Sequence, residues 1–298
     1  MACWRTLLCA LAAASALLAG PGAVAAEPAA PATPALWVAR NGAATVYLFG
    51  TIHVLAPGAR WLEGDVEAAF GRSNELVLEL VLPTPEAARA AILRRALAPG
   101  AAPVPSRLPG RSGDAYVATL ASLGLPADAF DPFHAWFAAV TLTTAAAQQA
   151  GYGVAEAPEF VLTRAAEASG KTIVGLETFD GQLALLGSMP EPLQARFLAV
   201  TVAQMPDAPK TLAAMVGAWA AGDVARLAGI LDEGLSELPD AKELLLTQRN
   251  ARWARWVADR LQRPGTVFVA VGAGHLAGPE SVQAELAKLG VQVERVGR

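Results

Sequence analysis

The chain has 298 residues, 54% hydrophobic and 17% charged, with a formal net charge of −4. A chain of that size and composition can bury a full core, which excludes a disordered protein and makes one large domain, or a domain with a helical insert, the default expectation. It carries no basic stripe and no aromatic-interleaved arginine run, so neither nucleic acid nor an anionic membrane surface is an expected partner.

In chain order, Arg5 precedes the apolar run Leu7 to Leu18, a Gly20-Pro21 break follows, and Val24-Ala25-Ala26 fits a small-residue cleavage site. The pattern predicts a signal peptide over residues 1–26. Its apolar core is too short to span a bilayer comfortably, and no later run is long enough. The expected mature protein is therefore periplasmic or secreted, without a transmembrane segment. Cleavage would remove Cys3 and Cys9, which excludes disulfides, a thiolate nucleophile and cysteine-ligated metal. Leu7-Leu8 ahead of Cys9 argues against lipid attachment. Loss of Arg5 from the 23 basic residues leaves 22 against 27 acidic ones.

Residues 27–35 are Ala/Pro-rich and read as a linker, and residues 36–298 as a single domain. Leu36 to Arg40 and Thr45 to Phe49 flank Asn41-Gly42, a strong hairpin signal. Trp61 to Arg72 has helical spacing, and Glu75 to Val81 reads as a buried strand. From about 83 to 170 the texture becomes Ala-rich with Pro and Gly breaks, and helices are expected at 85–98, 111–124, 133–150 and 158–169 as an insert. Thr172 to Leu176 is a third buried strand. Helices then resume at 180–187, 190–204, 208–221, 223–234 and 239–262. Thr266 to Val271 forms a strand, Pro279 to Lys288 a helix and Val291 to Val296 a closing strand. The fold class is mixed α/β, with a central mixed sheet whose strand ends carry chemistry.

Two of the three histidines stand in the same setting. Leu48 to Val54 (LFGTIHV) and Val267 to Leu276 (VFVAVGAGHL) each run as strand, glycine, two small or apolar residues, histidine. In open α/β sheets ligands bind at the carboxyl ends of strands, so Gly50 to His53 and Gly272 to His275, with Gly274 inside the second motif, are candidates to meet in one crevice. The plain alternative is two strand-end histidines bonded to backbone. Imidazole suits both metal ligation and proton transfer. Glu79 sits in the apolar run Leu76 to Val81 and would need a partner if buried, or else shares a solvent-facing side with Glu75 and Val77. Glu177 ends a strand and either faces the same crevice or serves as a helix N-terminal acid. Arg249 shares a helical face with Leu245, Trp253 and Trp256, where it either pairs with a buried carboxylate or snorkels to the surface. His134, in DPFHAWF, lacks the strand-glycine setting and reads as structural, or at most as pocket wall.

LFGTIHV, ELVLEL, VGLET followed by Gln182, the Gln248-Arg249-Asn250 segment and VGAGHLAG, in this order over nearly the whole mature chain, resemble the TraB/GumN family, itself similar to pheromone-shutdown proteins and Tiki proteases. The resemblance implies a mixed α/β fold with both GxxH histidines and acidic residues at one site. From the Tiki relatives it implies peptidase activity with a divalent, manganese- or cobalt-like ion. Carried over, His53, His275 and Glu79 become metal-site candidates, and Glu79, Glu177, Arg249 and Asn250 catalytic ones. Two departures stand out. The family's aspartate after Gly-Val is replaced by Ala155 after Gly153-Val154, with Glu159 spaced to take its place, and a proline-tryptophan pair appears as Pro132 to Trp136.

The leading expectation is an exported metal-dependent hydrolase of peptide-like substrates, with one glutamate as metal ligand, the other as general base, and Arg249 on the oxyanion. Its alternatives are a metal-independent histidine-based esterase-like hydrolase and a binding protein for metal, haem or peptide.

Overall fold

The computed structural model describes residues 31–297. The signal peptide expected over 1–26, both cysteines and the first part of the expected linker lie outside the described residues. Within them, no helix is long and apolar enough to cross a membrane. The linker's end lies along the domain, with Ala32 and Thr33 donating to the carbonyls of Arg60 and Ala220 at 2.7 Å each.

The chain folds as mixed α/β around a six-stranded sheet. β1 (Leu36–Asn41) and β2 (Ala44–Thr51) form the expected antiparallel hairpin. Gly42, at φ +55°, makes the left-handed turn that a side chain would resist. β3 (Glu75–Leu80), β4 (Thr172–Glu177) and β5 (Gly265–Gly272) join in parallel, and β6 (Val293–Arg295) closes antiparallel to β1, giving the order β4-β3-β5-β2-β1-β6. β2 and β5, more than 200 residues apart in sequence, lie side by side with Gly50 opposite Val271 and Thr51 opposite Gly272. That register carries both GxxH motifs off the same edge of the sheet.

Alternation along the strands splits the core into two faces. Phe49, Leu76, Leu78 and Phe268 face one way. There they meet α1 (Gly64–Arg72), α6 (Pro158–Ala168), α9 (Ala208–Ala220) and α10 (Val224–Leu235). Trp61 precedes α1 instead of starting it, and stacks on Phe49 with centroids 5.4 Å apart. Val46, Leu48, Val77, Val267 and Val269 face the other way, under α12 (Gln248–Arg260) and α13 (Val282–Lys288).

A separate core holds a helical lobe of α2 (Pro85–Ala96), α4 (Ser112–Ser122), α5 (Ala135–Gln149), α7 (Phe179–Gly187) and α8 (Glu191–Gln204), with Trp136 and Tyr116 fully buried. Burying apolar side chains such as Phe197 and Leu198 in it contributes roughly 1.5–3 kcal/mol each, so the lobe has a stabilising core of its own. The short α3 (Val104–Arg107) was not anticipated.

Three sequence expectations change in form. The strand expected to be buried from Thr172 is β4, an edge strand with Thr172 and Gly175 exposed, because only β3 flanks it among the described residues. The helix expected over 239–262 is α11 (Pro239–Lys242), a π turn Glu243–Thr247 and then α12. The closing strand shrinks because Val291 is tied to the end of α13 through the Leu286 carbonyl at 3.0 Å.

Candidate functional site

The site forms where the carboxyl ends of β2, β3, β4 and β5 meet the helical lobe. Gly50 is required by close approach: a Cβ there would lie 3.0 Å from the Cα and Cβ of Ala273, the residue after Gly272 in the second motif. The two motifs thus pack directly on one another. Gly274 faces Leu231 of α10, whose Cδ1 would be 3.2 Å from a Cβ. The Gly50 carbonyl is fixed by Trp219 Nε1 at 2.7 Å.

His275 is fully buried. Its Nδ1 lies 2.6 Å from Asn250 Oδ1, and Nε2 lies 3.2 Å from Arg249 Nη1. An amide oxygen accepts and a guanidinium donates, so Nδ1 carries the proton and Nε2 accepts a hydrogen bond from Arg249. Asn250 is held in turn, its Nδ2 donating to the Glu280 carbonyl at 2.6 Å. Trp253 lies beneath, its ring tilted by 47° to the imidazole with centroids 4.3 Å apart, and 4.6 Å from the Arg249 guanidinium carbon. Burial, then the positive charge of Arg249, then that of His53, push the His275 pKa well below its ordinary 6.5. The ring is neutral, and both nitrogens are engaged.

Arg249 occupies the centre of the cluster at 3% exposure. Nη2 reaches Glu79 Oε2 at 2.8 Å and Glu177 Oε2 at 2.9 Å, while Nε reaches Glu177 Oε1 at 3.0 Å. Nη1 donates to the Leu245 carbonyl at 3.1 Å as well as to His275. That carbonyl lies in the π turn, where the helix shifts register immediately before Arg249. All three guanidinium nitrogens are therefore directed to protein acceptors. Burial works against the arginine's charge, but Glu79 and Glu177 outweigh it and raise its pKa above the ordinary value. Glu79, 5% exposed, is the buried one of its strand's two glutamates: Oε1 accepts from the Gly272 amide at 2.6 Å and lies 3.7 Å from His275 Nε2. Gln182 of α7 spans the carboxylates, with Nε2 3.0 Å from Glu177 and 3.4 Å from Glu79. Glu177 is not the helix acid; Thr178 caps α7 and Asp180 lies in its first turn.

His53 has a different partner. Its Nδ1 lies 2.5 Å from Glu159 Oε1, which also accepts from Thr51 Oγ1 at 2.5 Å. Glu159 comes from the first turn of α6, behind Pro158 at the helix start. The approach is set by a two-way bridge, Leu55 N to Gly153 O at 3.0 Å and Gly153 N to Leu55 O at 2.8 Å, which ties the loop after His53 to the segment leading into α6. Burial alone would raise the Glu159 pKa; the charge of His53 and hydrogen bonds from His53 and Thr51 outweigh it and hold the pKa below the ordinary 4.5.

The structure thus gathers His53, His275, Glu79, Glu177, Arg249 and Asn250 at neighbouring strand ends. His134 stays outside, on the surface, with Nδ1 2.8 Å from Glu191 Oε1. Sequence reading named Glu159 only as a stand-in for an absent aspartate, and Thr51 not at all. Its one usable signal for Thr51 was the position inside GxxH.

A divalent ion would need lone pairs converging on one point. Glu79 spends both oxygens on Gly272 and Arg249, and His275 gives its Nε2 to Arg249. Among the described residues no group of three His, Asp, Glu or Cys side chains is placed to hold a metal. As arranged, these residues do not fit one, because Arg249 already supplies the cation.

No curated protein and no solved structure matches the chain. A family model described as the TraB/PrgY/gumN family matches residues 35–295. That match takes in both GxxH motifs, the glutamates and the Arg249-Asn250 pair, and the chain belongs to the TraB/PrgY/gumN family.

Proposed function

We propose that this protein is a hydrolase of peptide-like amide bonds in which His53, oriented by Glu159, is the general base. The observation that carries the reading is the 2.5 Å contact between His53 Nδ1 and a Glu159 oxygen also bound by Thr51. A carboxylate on Nδ1 keeps that nitrogen protonated, which leaves the imidazole's basic lone pair on Nε2. His53 Nε2 would take a proton from water as the oxygen adds to the carbonyl carbon. The resulting imidazolium, steadied by Glu159, would return the proton to the departing amine. His275 is not the base on this reading, since its lone pair already accepts from Arg249. The Arg249 cluster contributes a fixed, pre-ordered charge array beside the reacting carbonyl. Two buried acceptors with no hydrogen-bond partner among the described residues, Glu159 Oε2 and Gln182 Oε1, are places where substrate N–H groups would donate.

The test is cleavage of a peptide library by the purified protein, read by mass spectrometry, with and without exhaustive chelation. The expected result is cleavage that survives chelation and disappears in His53→Ala. Activity abolished by chelation and restored by manganese or cobalt would instead support metal-dependent hydrolysis, with the Arg249 cluster rearranged. Stoichiometric binding of an uncut ligand would support a binding protein.

A further inference from the structure

β4 is the outermost strand on its side of the sheet and pairs only with β3. The amide of Thr172 donates to the Asn74 carbonyl at 3.2 Å. By alternation the main-chain groups of Thr172, Val174 and Leu176 face β3, and those of Ile173, Gly175 and Glu177 face outward. Among the described residues no other strand or helix pairs with that outward row. The strand is bare for an α/β sheet: Thr172 and Gly175 are exposed and its other four residues only partly buried. Open apolar edges are usually blunted by proline, an inward charge or a covering helix, and TIVGLE has none of these before its final glutamate.

The surroundings give the edge a chemical preference. Gly175 and Glu177 also line a groove of about 510 Å³, walled by Val81, Pro83, Ala87 and Ala91. On the other face α12 turns Arg252 and Arg255 to solvent, and Arg252 Nη2 lies 3.5 Å from Glu177 Oε1. Arg94 lines the groove as well, and both acids of its lining are already paired, Asp180 with Arg94 and Arg95 at 2.6 Å each and Glu177 with Arg249 at 2.9 Å. A strand laid along β4 would direct alternate side chains to the apolar groove and to the arginines.

We propose that the open edge of β4 docks an extended, acidic peptide segment as one more strand of the sheet, its main chain bonded to Ile173, Gly175 and Glu177. As a way of presenting substrate this rests on the hydrolase reading, because a strand on β4 runs toward Glu177 and the neighbouring strand ends that carry Arg249 and His53. Main-chain pairing gives affinity, and the flanking groove and charges give selectivity.

The test uses the His53→Ala protein, so that binding is read apart from turnover. A fluorescent eight-residue peptide of alternating valine and glutamate is titrated by anisotropy, and amide exchange is followed in β4. The expected result is saturable binding that slows exchange at Ile173 and Gly175. It should weaken about tenfold on N-methylation of alternate peptide amides, and by a similar factor in Arg255→Glu. Equal binding of the N-methylated peptide, equal binding of a valine-lysine twin, or protection confined to another segment would overturn the proposal. So would protection of the same amides by self-association without peptide, which assigns the edge to a second copy. Peptide binding at β4 with no hydrolysis by the unsubstituted protein would remove only the hydrolase reading, and hydrolysis without binding at β4 only the docking.

Discussion

Gly50 to His53 and Gly272 to His275 leave adjacent parallel strands with the same spacing, yet their histidines meet different kinds of partner. His275 is clamped between Asn250 at 2.6 Å and Arg249 at 3.2 Å, and is held neutral by burial and by positive neighbours. His53 meets a carboxylate at 2.5 Å, the arrangement that steadies an imidazolium. Most of the difference lies outside the motifs; inside them, Thr51 adds a donor to Glu159 where the second motif has Ala273. α12 brings an amide and a guanidinium to one ring, and α6 brings a glutamate to the other. A repeated motif in a sheet therefore fixes where a histidine stands, while the element packed against it decides which partners that histidine meets.

The largest effect is expected at Arg249. Arg249→Met leaves Glu79 and Glu177 buried without their cation and removes the donor to His275. The expected loss is about 3–5 kcal/mol of unfolding free energy by chemical denaturation. A loss below about 1 kcal/mol would mean that the cluster is solvated, contrary to the burial described. Asn250→Ala should come next: it strips the acceptor from His275 Nδ1 and costs about 1–3 kcal/mol on the same measurement.

On the His53 side the effect should appear in turnover rather than stability. Glu159→Gln keeps the side-chain shape but removes the charge beside His53. It should lower hydrolysis about 10²- to 10⁴-fold while leaving the far-ultraviolet spectrum unchanged. Unchanged turnover would detach Glu159 from the chemistry.

The pH dependence follows from the depressed pKa of His275. The unfolded chain binds a proton near the ordinary 6.5, whereas the folded chain does so only well below it. Stability from this residue is complete above about pH 6.5 and is lost as pH falls toward the folded value. The midpoint of urea unfolding should therefore drop between about pH 6.5 and pH 5, and an His275→Gln variant should show a shallower drop. The third histidine sets the lower end of the scale. His134 makes a surface contact with Glu191, and His134→Ala should change stability by no more than about 1 kcal/mol.

Much of this was legible in the sequence. Short, nearly continuous apolar runs at β2, β3 and β5 and the Asn41-Gly42 turn marked the strands, and the matching glycine spacings pointed to the meeting of the two motifs. Glu79 was legible as a carboxylate in an apolar run, and Arg249 as a guanidinium leaving an apolar helical face. What escaped was partner assignment. Nothing local shows that Arg249 directs all three guanidinium nitrogens to Glu79, Glu177, Leu245 and His275, because that depends on the π turn and on the packing of α12 across the sheet. The Glu159 contact depends on the bridge between Leu55 and Gly153, made across a hundred residues of helical chain. The spacing pointed to Glu159 as a replacement acid but could not say which histidine it would meet.

The most direct test of the contrast is nitrogen-15 NMR of the histidine rings in the full chain across the pH range where it stays folded. The expected spectrum shows His275 as the neutral tautomer with its proton on Nδ1, unchanged on passing down through about pH 6.5. An imidazolium signal for His275 at that pH, or a neutral ring protonated on Nε2, would contradict the division of roles between the two motifs.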